Sequence, residues 1–293
     1  MQSFSRGWNF LMQAWKMAFA DGDLIKPSLY ALVMGFVITC IGAVPIILAA
    51  LVFGFESLLG RIVLGVLGAL LVFAQYAVTY IFSAMTIYLI FGYLSEGDGR
   101  MDKAWAVVRR DWLDILTLAA ASTLVNILQN MVRGNGRSRN FFREQLASLI
   151  QTLWTEATYL VLPIMVIEDV GLKDGLKRAT YIAKNNLLLI GISTVGVRWV
   201  TGLVGFILTL IGLGLGLGTS FLLISLAGSS TLITVLAVLL GIFTASIFFM
   251  AASVISTYTA TAYHTCLYLW ARGVETAGQS ISAPAPLAVA LGY

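Results

Sequence analysis

Two ionisable residues lie inside segments that are otherwise almost free of charge, and they are the first candidates for chemistry. Arg198 is the only Asp, Glu, Lys or Arg between residues 187 and 271, and Glu156 is the only charged residue between 145 and 167. A charge within a membrane is costly and faces a cavity or a partner. A pair of Arg198 with Glu156 could therefore gate an ion or proton path. We favour the alternative that Arg198 snorkels to the membrane surface or forms a structural pair that fixes helix packing.

Residues for metal or nucleophilic chemistry do not form a set. His264, the single histidine, and Cys266 diverge on a helix by about 200°, which is unsuited to binding one metal without other ligands. One histidine near the end of the last apolar segment allows no Ser/His/Asp or Cys/His arrangement, and no two carboxylates pair in a recognisable cleft. The sequence therefore predicts no enzyme, no metal site and no cofactor.

A glycine repeat lies in the last third of the chain. Gly212, Gly214, Gly216 and Gly218 alternate with leucine inside an apolar segment. The repeat lacks the Lys-Ser/Thr of a phosphate-binding loop and does not follow a soluble strand. Small residues four positions apart let helices approach closely, so the repeat predicts helix packing, within one protomer or between protomers.

The elements that would position these residues are membrane helices. The chain is 59% hydrophobic and 11% charged, with a mean hydropathy of +0.91, whereas soluble domains carry about 25% charged residues. The run from Trp199 to Ala271 contains no Asp, Glu, Lys or Arg. This composition excludes a soluble enzyme, a coiled coil, a disordered chain and a disulfide scaffold. The net charge of +4 is spread through short loops, as positive-inside topology predicts, so we expect no nucleic-acid partner.

Four segments are firm predictions of membrane spans. Residues 28–55 and 62–94 are uncharged and as helices would be about 42 and 50 Å long, against a hydrocarbon core of about 30 Å. The apolar block after residue 187 contains one good turn signal, Gly228-Ser-Ser230. Division at this turn predicts two long spans, 187–227 and 231–271. Three spans of ordinary length are the alternative.

Residues 113–167 form an ambiguous hairpin, because two moderately apolar arms flank an arginine-rich loop. If both arms crossed the membrane, the four arginines of the hairpin would join Arg61 outside, whereas a cytoplasmic hairpin leaves only Arg61 there and so fits the loop bias better. Polar residues at helical spacing also give each arm one wet or paired face. We therefore favour a cytoplasmic or partly inserted hairpin over two full crossings, although residues 157–167 are apolar enough to enter the core. The polar residues are Asp114, Ser122, Asn126 and Asn130 in the first arm, and Glu144, Ser148, Thr152 and Glu156 in the second.

Three amphipathic segments predict helices that lie in the plane of the membrane, residues 1–20, 101–112 and 172–184. Each has apolar residues at helical spacing and Lys or Arg on other faces, which favours the cytoplasmic surface. For residues 1–20, packing on the protein's own cytoplasmic face is an equal alternative. Tryptophan is enriched at the membrane interface, so four tryptophans are candidate surface anchors. They are Trp8, Trp15, Trp105 and Trp112.

The whole of residues 1–273 is predicted to form a single helical membrane domain. Residues 274–293 contain Pro284 and Pro286 and almost no charge. We expect this C-terminal tail to be disordered in a lone protomer.

Three stretches carry a family resemblance: Arg6 to Pro27, Trp154 to Ala179, and Leu267 to Gly273. The second combines Trp154-Thr-Glu-Ala-Thr-Tyr159 with Leu162-Pro163, Glu168 and a basic connector helix. Together they resemble an uncharacterised family of prokaryotic polytopic membrane proteins, a domain of unknown function that is distantly similar to the membrane domain of glycerophosphoryl diester phosphodiesterases. The resemblance implies an architecture with an even number of crossings, and it implies no catalytic residues.

The sequence thus predicts an all-α, polytopic integral membrane protein with four firm transmembrane helices plus the hairpin, four to six spans in total. We expect it in the bacterial cytoplasmic (inner) membrane with both termini in the cytoplasm. The function we favour is that of a self-associating structural or membrane-organising protein, whose partners are membrane lipids and copies of itself. The competing function is a transporter or channel-like protein that uses Arg198 and Glu156. An enzyme acting on lipid is the third hypothesis.

Overall fold

The computed structural model describes residues 2–133, 141–227, 230–277, 283–284 and 286–288, without the side chains of 2–4, 183, 185–196, 198, 227 and 276–277. Within these residues the chain forms long α-helices and a short 3₁₀ helix (Gly22–Leu24), with no strand. The all-helical class predicted from the sequence is confirmed. The α-helices are α1 (Gln2–Ala20), α2 (Lys26–Phe53), α3 (Leu58–Glu96), α4 (Met101–Arg133), α5 (Phe141–Glu168), α6 (Leu172–Ala227) and α7 (Thr231–Ala277).

Six of the helical segments in the described residues are long and apolar enough to cross a membrane. Two of them, Met101–Arg133 and Phe141–Glu168, are the arms of the hairpin. The mean hydropathies of their apolar 18-residue stretches, 1.5 and 1.3, are the lowest of the six. The chain is therefore a membrane protein by helix length and composition, and the hairpin qualifies for insertion by the same measures. The other four are Gly22–Phe53, Leu58–Glu96, Trp199–Leu226 and Thr231–Glu275.

Two predicted in-plane segments are continuous with the helices that follow them. Residues 101–112 are the first turns of α4, and residues 172–184 are the first turns of α6. A change from charged to apolar composition does not itself end a helix, and neither junction contains a proline or glycine. The amphipathic patterns therefore mark one end of a long helix in each case.

Glycine and serine close the short connections between the first long helices. Gly54 (φ 69°) ends α2, and Gly97 (φ 80°) ends α3 with its N–H donating to the Tyr93 carbonyl at 3.0 Å. The Ser57 hydroxyl accepts a hydrogen bond from the Gly60 N–H at 2.9 Å at the start of α3. Positive φ angles cost glycine little, and such short links make consecutive helices antiparallel neighbours.

The described residues fall into two compact units. The bundle unit comprises residues 21–187 and 264–277. The glycine unit comprises residues 2–20, 188–263 and the described part of the tail, 283–284 and 286–288. In the bundle unit α2 packs on α3, α3 packs on α4 and α5, and α4 packs on α5. Its core includes Met85, Ile90, Ile115, Leu118 and Ile164.

One end of the bundle unit, here called the charged end, gathers the start of α2 and α4 and the end of α3 and α5. Asp21 accepts a hydrogen bond from the Gly99 N–H at 2.7 Å. Lys103 Nζ lies 2.8 Å from Glu96 Oε2, and Arg110 Nε lies 3.2 Å from Asp169 Oδ1. These contacts join the loop before α2, the α3–α4 loop and the α5–α6 loop to one another at this end of the bundle unit.

The tail differs from the sequence prediction. Helix α7 continues to Ala277, and residues 286–288 form a helical turn in which the Leu287 side chain is fully buried in the glycine unit. The composition of the tail predicted disorder, but the burial of Leu287 in its own chain gives residues 286–288 a packing contact. Residues 278–282, 285 and 289–293 of the predicted tail lie outside the described residues.

Candidate functional site

An ionisable cluster lies in the bundle unit between α5 and α7. Glu156 Oε2 is 3.8 Å from His264 Nε2, and the Tyr159 ring stacks on the His264 imidazole with centroids 4.2 Å apart. His264 is buried, whereas 31% of the Glu156 side chain is exposed. Both helices are apolar enough to span a membrane, where an ionisable residue is a functional candidate by default. The carboxylate and the imidazole lie within ion-pair distance of each other.

A second polar group lies among α3, α4 and α5. The fully buried Ser122 hydroxyl accepts a hydrogen bond from Trp154 Nε1 at 2.9 Å and shares one with the Tyr80 hydroxyl at 2.7 Å. The Tyr76 ring stacks on that of Tyr80. Each polar atom of this contact is satisfied, as burial in a helix bundle requires. The group therefore acts in packing.

The sequence suggested a pair between Glu156 and Arg198. Arg198 lies in α6, but its side chain is outside the described residues. The Arg198–Glu156 pair therefore stays a prediction. Sequence reasoning did not join Glu156 to His264, although both are ionisable residues in segments of low charge, which was the available signal.

The glycine repeat has two faces in the glycine unit. A Cβ atom on Gly216 would lie 2.5 Å from the Gly241 carbonyl oxygen, and one on Gly212 would lie 2.6 Å from Phe248 Cβ. Helices α6 and α7 therefore approach at these two positions to a distance that only glycine allows. A Cβ on Gly214 would meet no described atom within 4 Å.

Gly218 shares the open face of α6 with Gly214, because a Cβ there would also meet no described atom within 4 Å. Next to it the side chains of Leu217 and Phe221 are strongly exposed. The repeat thus supplies packing within the chain on one face and leaves an uncovered small-residue face on the other.

Helix α1 lies antiparallel to residues 258–263 of α7, which belong to the glycine unit. The Phe10 ring meets the Tyr263 ring edge-on at 5.2 Å. Trp15 Nε1 donates a hydrogen bond to Thr259 at 3.2 Å, and the buried Tyr258 hydroxyl donates one to the Ala14 carbonyl at 3.1 Å. Trp15 is thus half-buried against α7, whereas Trp8 remains exposed.

Trp105 and Trp112 lie on α4 at the charged end of the bundle unit, and both are exposed. The indoles are seven residues apart and so share one side of the helix. Arg109 lies between them and is also exposed.

Arg178 joins three helices at the charged end. Its guanidinium contacts Glu168 at 3.5 Å and also Glu275, while the Tyr268 hydroxyl donates a hydrogen bond to Glu168 at 2.7 Å. Burial is the largest influence on the pKa of Arg178 and lowers it, but the two carboxylates outweigh burial and leave the pKa above its ordinary value. The cluster fastens the first turns of α6 to the ends of α5 and α7.

In the described part of the chain, His, Cys, Asp and Glu side chains form no group of three that could hold a metal ion. No curated protein matches the chain. A family described as a family of unknown function, DUF6159, matches residues 61–273. The match includes the Glu156–His264 cluster, the glycine repeat and the two exposed tryptophans of α4, and it agrees with the resemblance to a domain of unknown function. Because it covers well over half of the sequence, the chain belongs to the DUF6159 family of unknown function.

Proposed function

We propose that this chain is a structural protein of a bacterial cytoplasmic membrane, where it organises lipids of the inner leaflet and associates with copies of itself. The observation that carries the proposal is the surface of α1. One side of this helix packs on α7 through Phe10 and Ala14. The opposite surface is divided between aromatic and basic residues that the described chain does not cover.

The uncovered surface of α1 matches a membrane interface. Trp8, Met12 and Phe19 are exposed to 44%, 47% and 81%, and they lie together on one side of the helix. Lys16 is exposed beside them, and Arg6 is exposed on another side of the helix. Apolar rings favour the boundary of the acyl chains, and adjacent cations favour anionic headgroups. Since α7 fixes the orientation of α1, the aromatic side is held ready for lipid.

Self-association is proposed for the open face of α6. Gly214 and Gly218 have the small-xxx-small spacing that lets a second helix approach closely, and they have space around them. We expect Gly214→Leu to lower the oligomeric state without unfolding the protein. The matched control is Gly65→Leu, because Gly65 of α3 is equally open. An unchanged oligomeric state in Gly214→Leu would place the interface elsewhere.

We also propose that the α4–α5 hairpin crosses the membrane. Its polar Ser122 faces inward, whereas Leu124, Leu128 and Leu153 are exposed to 62%, 55% and 69%. Exposed leucines on both arms and a satisfied polar seam between them suit lipid. Ser148 and Thr152 of α5 are exposed beside these leucines. This arrangement gives six crossings and leaves both termini on the cytoplasmic side.

Environment-sensitive fluorophores on α1 test the lipid contact. In a Cys40→Ala/Cys266→Ala background, a probe at Met12→Cys should have blue-shifted emission and should be quenched by lipid-borne quenchers in vesicles. A probe at Asn9→Cys, an exposed residue on the polar side of α1, is the control and should be quenched by aqueous iodide. Equal quenching of both probes by iodide would exclude the proposed contact.

The Glu156–His264 contact favours transport as a second candidate function. The two groups, 3.8 Å apart, lie within helices that are apolar enough for a membrane core. Proteoliposomes with an internal pH-sensitive dye would report proton flux. Transport predicts flux that Glu156→Gln reduces about tenfold or more, with Glu144→Gln as the exposed control. Wild-type flux equal to that of protein-free vesicles would exclude proton transport.

A further inference from the structure

The first turns of α4 present a tryptophan, an arginine and a tryptophan on one side of the helix. Trp105 precedes Arg109 by four residues and Trp112 follows it by three, so the three side chains are neighbours on the helix surface. Trp105 and Trp112 are 40% and 50% exposed, and Arg109 is exposed. This side of α4 is therefore accessible within the bundle unit.

Arg109 differs from the neighbouring cations in its lack of a carboxylate partner. Lys103 pairs with Glu96, and Arg110 pairs with both Asp111 and Asp169. Arg100 pairs with Asp102. Among the residues whose side chains the structure describes, no carboxylate forms an ion pair with Arg109. The positive charge between the two indoles is thus available to an anion from outside the chain.

The position of these three residues along α4 indicates that they lie at the membrane boundary. The Lys103–Glu96 and Arg110–Asp169 contacts hold these turns beside the end of α3 and the α5–α6 connection. After Asp114, α4 has no charged residue until Arg133. Trp112 therefore lies where the charged end gives way to the apolar length of the helix, the depth at which tryptophan and lipid phosphates occur.

We propose that Trp105, Arg109 and Trp112 form a binding site for the phosphate headgroup of an anionic membrane phospholipid. The planar guanidinium donates paired hydrogen bonds to phosphate oxygens. Trp112 borders the glycerol and upper acyl region on the membrane side of Arg109, and Trp105 borders the headgroup on the other side. A headgroup with net negative charge neutralises Arg109, whereas a zwitterionic headgroup brings its own cation. The site deepens the proposed function, on which it rests, by naming the class of lipid that is held.

Native mass spectrometry of the full chain in mixed phosphatidylglycerol and phosphatidylcholine tests the site. Wild type should retain phosphatidylglycerol selectively, and Arg109→Ala should retain about fivefold less. Arg109→Lys should fall between them, because an ammonium keeps the charge and loses the paired geometry. Lys173→Ala is the matched control, since Lys173 is an exposed cation at the same end with no ion pair among the described side chains. It should retain lipid as wild type does.

A second measurement, the thermal unfolding temperature, distinguishes the loss of lipid binding from the loss of folding. Added phosphatidylglycerol should raise the thermal unfolding temperature of wild type and Lys173→Ala but not that of Arg109→Ala, and inorganic phosphate should raise none of them. Equal lipid loss in Arg109→Ala and Lys173→Ala, or undiminished retention in Arg109→Ala, would overturn the site. A monomeric wild type that still loses lipid on Arg109→Ala would contradict self-association and leave the lipid site standing.

Discussion

Trp154 donates a hydrogen bond from its indole nitrogen to the Ser122 hydroxyl over 2.9 Å, and this contact joins the two arms of the hairpin. Ser122 belongs to the polar stripe that predicted one wet or paired face on α4. In the structure this serine is fully buried and paired. The stripe is therefore an internal seam of the bundle at this position.

Removal of the Ser122 hydroxyl should destabilise the hairpin. Ser122→Ala leaves the Trp154 indole and the Tyr80 hydroxyl without their shared partner, which costs about 1–3 kcal/mol in the free energy of unfolding. Thermal and SDS unfolding in matched detergent would measure it. Ser148→Ala on the exposed surface of α5 is the control and should be near neutral. Equal stability of the two variants would show that the seam contributes nothing.

The two faces of the glycine repeat should respond differently to alanine. Gly216→Ala forces a methyl group to within 2.5 Å of the Gly241 carbonyl, so we expect it to lower the free energy of unfolding by about 1–3 kcal/mol. Gly214→Ala meets open space and should be neutral or stabilising by up to about 1 kcal/mol through helix propensity. Unfolding curves of the two variants give the comparison. The reverse order would refute the assignment of faces.

Loss of Arg178 should weaken the fastening of α5, α6 and α7. Arg178→Ala leaves Glu168 and Glu275 without the cation they share, and we expect a cost of about 1–2 kcal/mol because the three side chains remain partly hydrated. Lys177→Ala removes an exposed pair with Asp174 and should cost less than about 0.5 kcal/mol. Thermal unfolding of both variants distinguishes the loss of the Arg178 cluster from the loss of any one positive charge. Equal destabilisation by the two substitutions would contradict the proposed role of the cluster.

Cysteine labelling in intact cells addresses the position of the hairpin. In the Cys40→Ala/Cys266→Ala background, a membrane-impermeant maleimide should label Glu144→Cys, at the start of α5, from outside. Asp98→Cys, an exposed residue at the charged end, should react only after permeabilisation. Protection of Glu144→Cys until permeabilisation would return the hairpin to the cytoplasmic side and exclude six crossings.

The elements marked by hydropathy could be predicted from the sequence. The uncharged segments correspond to α2 and α3. Helix α6 ends at Ala227 and α7 begins at Thr231, on either side of the Gly-Ser-Ser sequence. The continuity of α4 and α6 could not be predicted, since charge changes along each helix while the backbone hydrogen bonding does not. Composition therefore predicts which stretch of a helix is apolar enough for lipid, but it does not predict where the helix begins or ends.

The partners of the candidate site residues needed the fold. Glu156 and His264 are more than a hundred residues apart, and no sequence period relates them. The four glycines look equivalent in sequence, and only the position of α7 distinguishes Gly212 and Gly216 from the other two. Likewise, Arg109 resembles Arg110 until the ion pairs at the charged end are known.

Native mass spectrometry of the protein extracted together with its membrane lipids tests the central claim most directly, because it reports assembly and bound lipid at once. The account predicts an oligomer that carries anionic phospholipid. A monomer that releases its lipids as readily as an unrelated membrane protein of similar size would contradict it.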